Sequence, residues 1–285
     1  MSLVECNAFN YAFCCLDFLP DFGHCGSAIV MLTCVHFWSD VRFALVALIC
    51  SFGIHSDSVP HPTGRIASLP RYTLWTWERR EDLRFLNTRH FAVAYLDKTL
   101  TIGLTVASQP RRDLVSFPAT IARMPVVRIE APRTAVLNSS NRIDVVEALL
   151  ASAREPGIAA LQLDFDATRS QRSFYRDLLF DLRRQLPPNL PLSITALASW
   201  CSYDDWLSNL PIDEAVPMLF RMEADHHRAP SSVDDFQIRE PLCQSSAGVS
   251  TTEPWPRRLA GKRVYVFADN GWRQDSAAVL ERKLP

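Results

Sequence analysis

Some features are scarce or missing in this sequence, and each of them argues against a class of function. The chain has nine glycines against nineteen prolines, which predicts short, stiff connections between its elements. It has no glycine-rich phosphate-binding motif of the dinucleotide or P-loop type after a strand, so nucleotide-binding α/β folds lose support. A Gly-x-Ser-x-Gly elbow is also missing, which leaves an esterase function with little support.

An excess of basic charge is missing as well. Thirty Lys and Arg residues face thirty-one Asp and Glu residues, and the formal net charge is −1. Such a balance supplies neither a basic field for nucleic acid nor a polybasic patch for anionic lipid. We therefore expect no nucleic-acid partner, and membrane contact only through the N-terminal segment.

Metal-binding patterns are weak too. No Cys-x-x-Cys pair has a matching second pair, so we predict no metal site and no cofactor. Asp225-His226-His227, with Asp234 and Asp235, lies in a polar stretch without helix or strand patterning, which favours a solvated loop. Cys201 and Cys243 are predicted to be free or buried thiols, because sequence cannot place them within bonding distance.

Residues 1–55 form an apolar N-terminal segment. The run 43–54 has the length of a signal-peptide core and is short for a membrane-spanning helix, which needs about 20 apolar residues. Met31 can serve as the start, with Arg42 as the leading charge and residues 1–30 as an upstream extension. This predicts an exported, periplasmic protein, and the alternative is a buried hydrophobic helix. Lipidation of Cys50 is less favoured because Ile49 is bulky.

Strand-like and helix-like segments alternate along residues 71–285, after a predicted linker at 56–70. Strands are predicted at 71–77, 91–95, 100–106, 125–130, 158–165, 192–198, 212–222, 247–251 and 262–268, and helices at 78–86, 141–154, 170–186, 203–210 and 276–283. Such alternation predicts a parallel sheet. Roughly eight β/α units fit a (β/α)8 TIM-type barrel, in a regular or an irregular form. An open doubly wound sheet is the alternative.

Residues suited to carbohydrate binding follow several predicted strands. In a parallel barrel the chemistry gathers at the carboxyl ends of the strands. Sugars pack their C–H faces on aromatic rings, while their hydroxyl groups seek charged side chains. The predicted substrate-binding residues are Trp75, Trp77, Glu78, Arg128, Trp200, Arg221 and Trp272.

Acidic residues at the same strand ends are the predicted catalytic groups. Gln162, Asp164 and Asp166 share one face of a strand, since alternate residues point the same way. Glycoside hydrolysis needs a carboxyl that protonates the leaving oxygen and commonly a second one. We assign Asp166 as the acid, Asp164 as a neighbour that raises its pKa or orients it, and Glu130 or Glu253 as the second carboxyl. Alternatively, Asp164 or Asp166 pairs with an arginine, Arg128 or Arg221, or caps the next helix.

Three segments together carry a resemblance to a known family: 72–78 (YTLWTWE), 161–166 (LQLDFD) and 213–222 (DEAVPMLFRM). They resemble an uncharacterised family of exported bacterial proteins of unknown function, whose barrel looks like that of glycoside hydrolases. The resemblance covers approximately Arg71 to Trp272. It implies the barrel but no established substrate.

The 161–166 strand is also similar to the strand of chitinase-like barrels in which alternating acids end in a catalytic glutamate. With Asp166 at the acid position, Asp164 takes the central aspartate position, while Gln162 and Ala159 replace further aspartates. With Asp166 at the central aspartate position instead, Thr168 stands in the acid position. This incomplete pattern leaves two functions open. One is a glycoside-hydrolase-like protein that acts on a polysaccharide or cell-envelope glycan, and the other is a non-catalytic glycan-binding or scaffold barrel.

Overall fold

The computed structural model describes residues 63–222, 234 and 236–282, which contain eleven strands and five α-helices. The strands are β1 (Tyr72–Thr76), β2 (Glu81–Asp82), β3 (Phe91–Ile102), β4 (Val106–Pro110), β5 (Val115–Ser116), β6 (Ala122–Glu130), β7 (Leu161–Asp164), β8 (Leu192–Leu197), β9 (Glu214–Met218), β10 (Ser246–Ser250) and β11 (Arg263–Phe267). The helices are α1 (Thr63–Ile66), α2 (Ser139–Ala153), α3 (Arg172–Gln185), α4 (Ala198–Ser202) and α5 (Gln274–Arg282).

Eight of these strands close into a barrel in which every neighbouring pair is parallel. The order around the barrel is β1, β3, β6, β7, β8, β9, β10 and β11, and β11 pairs again with β1. β4 lies outside the barrel and pairs antiparallel with β3, while β2 and β5 form a separate short pair. Because all eight strands run the same way, their carboxyl ends meet at one end of the barrel.

The predicted alternating (β/α)8 TIM-type barrel is wrong, and so is the open-sheet alternative. The barrel is closed and all-parallel, but helices are scarce: within the described residues, regular helices of nine residues or more follow only β6, β7 and β11. Proline explains part of the difference. The crossover from β10 to β11 contains Pro254 and Pro256, and proline removes a backbone donor and disrupts a helix interior.

Two predicted helices do not form, and distant arginines hold what replaces them: β2 and turns in the 78–86 segment, and turns in the 203–210 segment. In the 78–86 segment, Arg111 donates a hydrogen bond to the backbone oxygen of Arg79 and another to Thr76 Oγ1 at 2.8 Å. In the 203–210 segment, Arg176 donates to the backbone oxygens of Trp206 and Ser208. The backbone oxygens of Arg79, Trp206 and Ser208 therefore have hydrogen-bond partners without a helix. Local sequence patterns do not show these partners, because the arginines lie far away in the chain.

Two separate strands were predicted at 91–95 and 100–106, but the structure has one continuous strand, Phe91–Ile102, there. β3 runs along β6 with a register shift between Leu96 and Lys98. The chain reverses only after Ile102, where β4 begins to return along β3. The shift lets a polar residue interrupt the strand: Asp97 accepts a hydrogen bond from Ser152 on α2 at 2.6 Å.

The helices predicted at 141–154 and 170–186 are confirmed with small changes at their starts. Asn138 caps α2 by accepting from the Asn141 backbone N–H, and the helix begins at Ser139, two residues before its predicted start. A 3₁₀ turn at Arg169–Gln171 precedes α3. Both helices pack their apolar faces on the outside of the barrel, together with Leu163 and Phe165.

Strand parity separates the inside of the barrel from the outside. Outward residues of β3, β6, β7 and β8 join the core with α2 and α3. Inward residues form a second cluster that includes Trp75, Met124, Val126 and Tyr265. Ile66 and Leu69, which fall within the predicted linker, belong to this inner cluster as buried residues.

Cys201 and Cys243 form a disulfide, so the prediction of free thiols is wrong. The bond joins α4 to a 3₁₀ turn at Pro241–Cys243, and the backbone N–H groups of Arg239 and Glu240 also donate to the Cys201 oxygen. The two cysteines lie 42 residues apart in sequence, which is why spacing alone does not pair them.

The described helices include none that combines the length and apolar character needed to cross a membrane. The predicted apolar segment at 1–55 and the polar stretch Asp225-His226-His227 lie outside the described residues. Within the residues that are described, no cluster of histidine, cysteine and acidic side chains could hold a metal ion.

Candidate functional site

A cleft of about 400 Å³ opens at the carboxyl ends of the barrel strands. Its volume is in the lower range of small-molecule sites, and like them it is lined mainly by apolar side chains with a few polar groups. The lining residues are Trp75, Trp77, Arg128, Asp164, Asp166, Thr195, Leu197, Ala198, Met218, Phe220, Arg221, Met222 and Phe267.

Trp75 forms the floor of the cleft and is fixed in place by a buried hydrogen bond. Its indole N–H donates to Gln162 Oε1 at 2.7 Å, and the Gln162 amide donates to Ser193 Oγ at 3.0 Å. The Trp75 ring also packs on Tyr265, with centroids 5.2 Å apart. Gly248 leaves room for this ring, since a Cβ atom at that position would lie 2.9 Å from Trp75 Cη2.

Deeper in the barrel lies a carboxylate that belongs to the interior rather than to the cleft. Glu214 is fully buried and accepts hydrogen bonds from Ser193 and from the Tyr265 hydroxyl group. Burial raises the pKa of Glu214, and the positive charge of Arg263 opposes that rise. Together with Gln162, these groups link the interior of the barrel to the tryptophan at the cleft floor.

Aromatic and thioether side chains form one wall of the cleft. Phe220 and Phe267 stack with their ring planes 6° apart and their centroids separated by 5.8 Å. The guanidinium carbon of Arg221 lies 5.2 Å from the Phe267 ring centroid. Trp77 also lines the cleft and is half-buried, and the guanidinium carbon of Arg128 lies 5.9 Å from its ring centroid. Flat apolar surfaces of this kind suit the C–H face of a sugar ring.

Arg128 organises the polar wall. Its Nη1 donates to Asp164 Oδ2 at 2.7 Å, and its Nε donates to Glu130 Oε1 at 3.0 Å. The second oxygen of Asp164 accepts from the Thr195 hydroxyl group at 2.7 Å. Asp164 is buried, and each of its two oxygens has a hydrogen-bond partner, as a buried carboxylate requires. The alternative prediction, that Asp164 pairs with an arginine, is therefore confirmed.

Asp166 differs from Asp164 in having no such partner. Among the described residues, none donates a hydrogen bond to it or forms an ion pair with it, and its side chain stays accessible to solvent at the cleft wall. The surrounding protein reduces its hydration and Asp164 repels its charge, which together raise the pKa of Asp166 to about 6, while Arg128 acts in the opposite direction. An unpaired carboxyl with this pKa can hold or release a proton near neutral pH.

A second pocket, also of about 400 Å³, adjoins the cleft. Arg128 and Asp166 line both pockets, and Glu130 lines only the second. Of the two residues predicted as the second carboxyl, Glu130 therefore shares a pocket with Asp166. Glu253 lines neither pocket, and both of its oxygens accept from the Arg221 backbone N–H at 3.1 Å.

Three predicted substrate-binding residues lie away from both pockets. Trp200 is buried on the outside of the barrel against Trp206, with ring centroids 4.8 Å apart. Trp272 is buried in another core cluster and donates its indole N–H to the Trp75 backbone oxygen at 2.8 Å. Glu78 accepts from the backbone N–H groups of Arg112 and Asp113, which fixes the loop between β4 and β5.

Arg221, by contrast, does reach the cleft. It has a positive φ of 51°, an uncommon backbone conformation for a residue other than glycine. Glu253 satisfies its backbone N–H, and Asp269 pairs with its guanidinium group. The predicted catalytic residue Glu253 thus holds a neighbouring arginine in position.

Sequence reasoning missed much of the apolar lining. Leu197, Met218, Phe220 and Phe267 were counted only as parts of strands, although alternate positions of β8, β9 and β11 face the barrel interior. Every second residue of these strands points into the barrel, and extending that alternation beyond the last residue of each strand would have identified these side chains.

Comparison with known proteins gives a family whose function is unknown. Residues 120–224 match the family model described as Domain of unknown function (DUF3142). This domain is therefore present in the chain, and the predicted resemblance to a family of unknown function is confirmed to that extent. The match covers less than half of the chain and includes Arg128, Asp164 and Asp166. No curated protein and no solved structure gives a significant match.

Proposed function

We propose that the cleft binds a carbohydrate and that Asp166 is the general acid of a glycoside hydrolase that acts on a polysaccharide or cell-envelope glycan. One observation carries this proposal. Asp166 is an unpaired carboxyl whose pKa is raised to about 6, and it lies in a cleft with Trp75, Trp77, Phe220 and Phe267. Cleavage of a glycosidic bond needs a carboxyl that can protonate the leaving oxygen, and aromatic rings suit the C–H faces of a sugar.

The charges around Asp166 support different roles for Asp166 and Asp164. Arg128 and Thr195 hold Asp164 as a charged neighbour, and that neighbour makes loss of the Asp166 proton less favourable. Asp164 thereby adds to the effect of burial in raising the pKa of the proposed acid. Other paired carboxyl sites likewise use two different environments to give their two carboxyl groups different roles.

Glu130 is the better candidate for the second carboxyl. It lines the second pocket together with Asp166, and half of its side-chain surface is exposed, so water can reach it. Its ion pair with Arg128 orients the carboxyl without burying it. In the hydrolytic role Glu130 would accept the proton of the attacking water.

A non-catalytic glycan-binding barrel is the second candidate, and one observation favours it. Asp164 and Glu130 are both paired with the same arginine, so Asp166 is the carboxyl of the two pockets that is left without a partner among the described residues. A site of this kind could bind sugar through its aromatic wall and carry out no chemistry.

We also propose that the protein is exported. The signal-peptide-like run within residues 1–55 supports export. The disulfide between Cys201 and Cys243 also supports it, since such bonds persist mainly in oxidising compartments.

The test is a hydrolysis and binding screen on soluble polysaccharides and on peptidoglycan fragments. Wild type should release reducing ends from at least one of these glycans, and Asp166→Asn should lower the rate by about 10²-fold or more while the glycan still binds. Asp275→Asn, the same change at an exposed position on α5, is the matched control. Equal hydrolysis by wild type and Asp166→Asn would remove Asp166 from the mechanism, and binding without hydrolysis would favour the second candidate.

A further inference from the structure

We propose that the ligand is a chain of at least two sugar units that occupies both pockets at once, with the linkage between two units lying over Arg128 and Asp166. This inference rests on the proposed function and names its substrate class as oligomeric. It also assigns the pocket of Thr101, Ile129, Glu130, Ala131, Pro132 and Phe165 as a second sugar subsite.

The arrangement of the two pockets is the first support. They have Arg128 and Asp166 in common and no other lining residue. The two shared side chains therefore form a boundary with one pocket on each side. A single sugar ring that fills one pocket leaves the other empty, whereas a chain can place one unit in each.

The second pocket is also built to keep its shape. The side-chain amide of the buried Gln171 donates to the backbone oxygens of Ala131 and Pro132, at 3.1 and 3.2 Å. Gln171 is itself fixed, because its side-chain oxygen accepts from the Thr168 backbone N–H at 2.9 Å. These bonds hold the 131–132 wall from outside the pocket, and preorganised walls of this kind favour specific binding.

The two pockets offer different surfaces to the two sugar units. The first contributes broad aromatic rings for stacking. The second contributes the Glu130 carboxylate and the Thr101 hydroxyl group, beside the smaller apolar surfaces of Ala131 and Pro132. Hydroxyl groups of a sugar can therefore make hydrogen bonds in the second pocket while its neighbour stacks in the first.

Because Asp166 lies at the boundary between the two pockets, it can act on the linkage between two sugar units. When a linkage lies over Asp166, the carboxyl gives its proton to the bridging oxygen as the C–O bond breaks. Water supplies a hydroxyl group to the anomeric carbon, and Glu130 accepts the remaining proton, which later returns to Asp166. One water is consumed and two shorter sugars are formed, so no other reactant is needed.

The test compares monomers with tetramers of three sugars: β-1,4-linked N-acetylglucosamine, β-1,4-linked glucose and α-1,4-linked glucose. Binding is measured by calorimetry on wild type and on Thr101→Trp, whose indole would fill the second pocket. Thr101 lies exposed on β3, so the larger side chain should not disturb the core. Thr105→Trp, at an exposed position of the turn before β4 that lines neither pocket, is the matched control.

We expect wild type to bind at least one tetramer about tenfold or more tightly than its monomer. Thr101→Trp should remove this advantage and leave monomer affinity unchanged, and Thr105→Trp should change neither. Ala131→Leu, a second variant that narrows the same pocket, should act like Thr101→Trp if that variant folds poorly. Equal affinity for monomer and tetramer, or an advantage that survives both variants, would overturn the inference while sugar binding itself stands. If wild type bound none of the five probes (N-acetylglucosamine, glucose and the three tetramers), both the proposed function and this inference would fall.

Discussion

Arg128 and Asp164 form an ion pair of 2.7 Å between the ends of β6 and β7, and this pair sets the electrostatics of the cleft. The same guanidinium group holds Glu130 through its Nε. Asp166, two residues after Asp164, is left without a partner among the described residues, yet it experiences both the negative charge of Asp164 and the positive charge of Arg128. Substitution of Arg128 or Asp164 should therefore change the pKa of Asp166.

Two substitutions should move the pKa of Asp166 in opposite directions. Asp164→Asn removes the negative neighbour and should lower that pKa, whereas Arg128→Met removes the opposing positive charge and should raise it. Carbon-detected NMR titration of the Asp166 carboxyl would measure both shifts. If Asp166 is the general acid, the alkaline limb of the pH–rate profile should move in the same directions.

Asp275→Asn serves as the control for both titrations, since Asp275 is exposed on α5 and away from the cleft. The electrostatic account would be refuted if Asp164→Asn and Arg128→Met moved the Asp166 pKa in the same direction.

Asp166→Asn should make the protein more stable at neutral pH. Folding raises the pKa of this carboxyl from 3.8 to about 6, so the folded state keeps a proton that the unfolded chain releases. The free energy of unfolding therefore falls as the pH rises from about 4 to about 6, and it stays lower above that range. The side chain is exposed, which reduces the effect to about 1 kcal/mol. The asparagine variant should thus gain about 2–4 °C in Tm at pH 7.5.

Thermal unfolding of both proteins at pH 7.5 and pH 3.5 would check this prediction. At pH 3.5 the carboxyl is protonated in the folded state and largely so in the unfolded chain, and the difference in Tm should shrink towards zero. A difference in Tm of the same size at both pH values would contradict the pKa assignment.

The disulfide should contribute a large part of the stability of the barrel wall. It closes a loop across 42 residues, and the loss of chain entropy in the unfolded state corresponds to about 3–4 kcal/mol. Cys201→Ala/Cys243→Ala should therefore unfold at clearly lower urea concentration than wild type. Both cysteines are fully buried, so each alanine also removes some packing.

Reductant separates these two effects. Dithiothreitol, added with the urea, should lower the unfolding midpoint of wild type and leave that of the double alanine variant unchanged. A wild-type midpoint that did not respond to dithiothreitol during equilibrium unfolding would show that the bond adds nothing.

Sequence reasoning located the carboxylates because strand parity is a local property. Gln162, Asp164 and Asp166 share a face through alternation alone, and Phe165 packs outward on Tyr175 of α3, with ring centroids 5.1 Å apart. Sequence also identified α2 and α3, whose apolar spacing is strong. The properties it could not supply are set by long-range contacts. Trp200 and Trp272 look like binding residues until their neighbours are known, since an exposed and a buried tryptophan have the same local pattern.

The fold class was missed for a related reason. Alternation of strands predicts a parallel sheet, and the barrel is indeed parallel. Whether a crossover is helical depends, however, on partners far away in sequence, such as Arg111 for the 78–86 segment and Arg176 for the 203–210 segment. The pairing of Cys201 with Cys243 belongs to the same category, because the two cysteines lie 42 positions apart in the sequence.

Gly248→Ala should disturb the cleft floor although it adds only one methyl group. The new Cβ atom would lie 2.9 Å from Cη2 and 3.0 Å from Cζ3 of Trp75, and 3.2 Å from the Pro217 backbone oxygen. Trp75 cannot move away freely, because its indole N–H is bonded to Gln162 and its ring packs on Tyr265. Overpacking of this kind costs about 1–3 kcal/mol. Because Trp75 lines the cleft, sugar affinity should fall as well.

Gly64→Ala provides the matched control, since a Cβ atom there meets no neighbour within 4 Å. Gly64 lies in α1, so alanine should leave stability unchanged or increase it slightly. Urea unfolding monitored by near-UV circular dichroism would report both the stability and the tryptophan environment. Gly248→Ala should lower the midpoint and alter the aromatic spectrum, whereas an unchanged midpoint and spectrum would mean that the tryptophan at the cleft floor is free to shift.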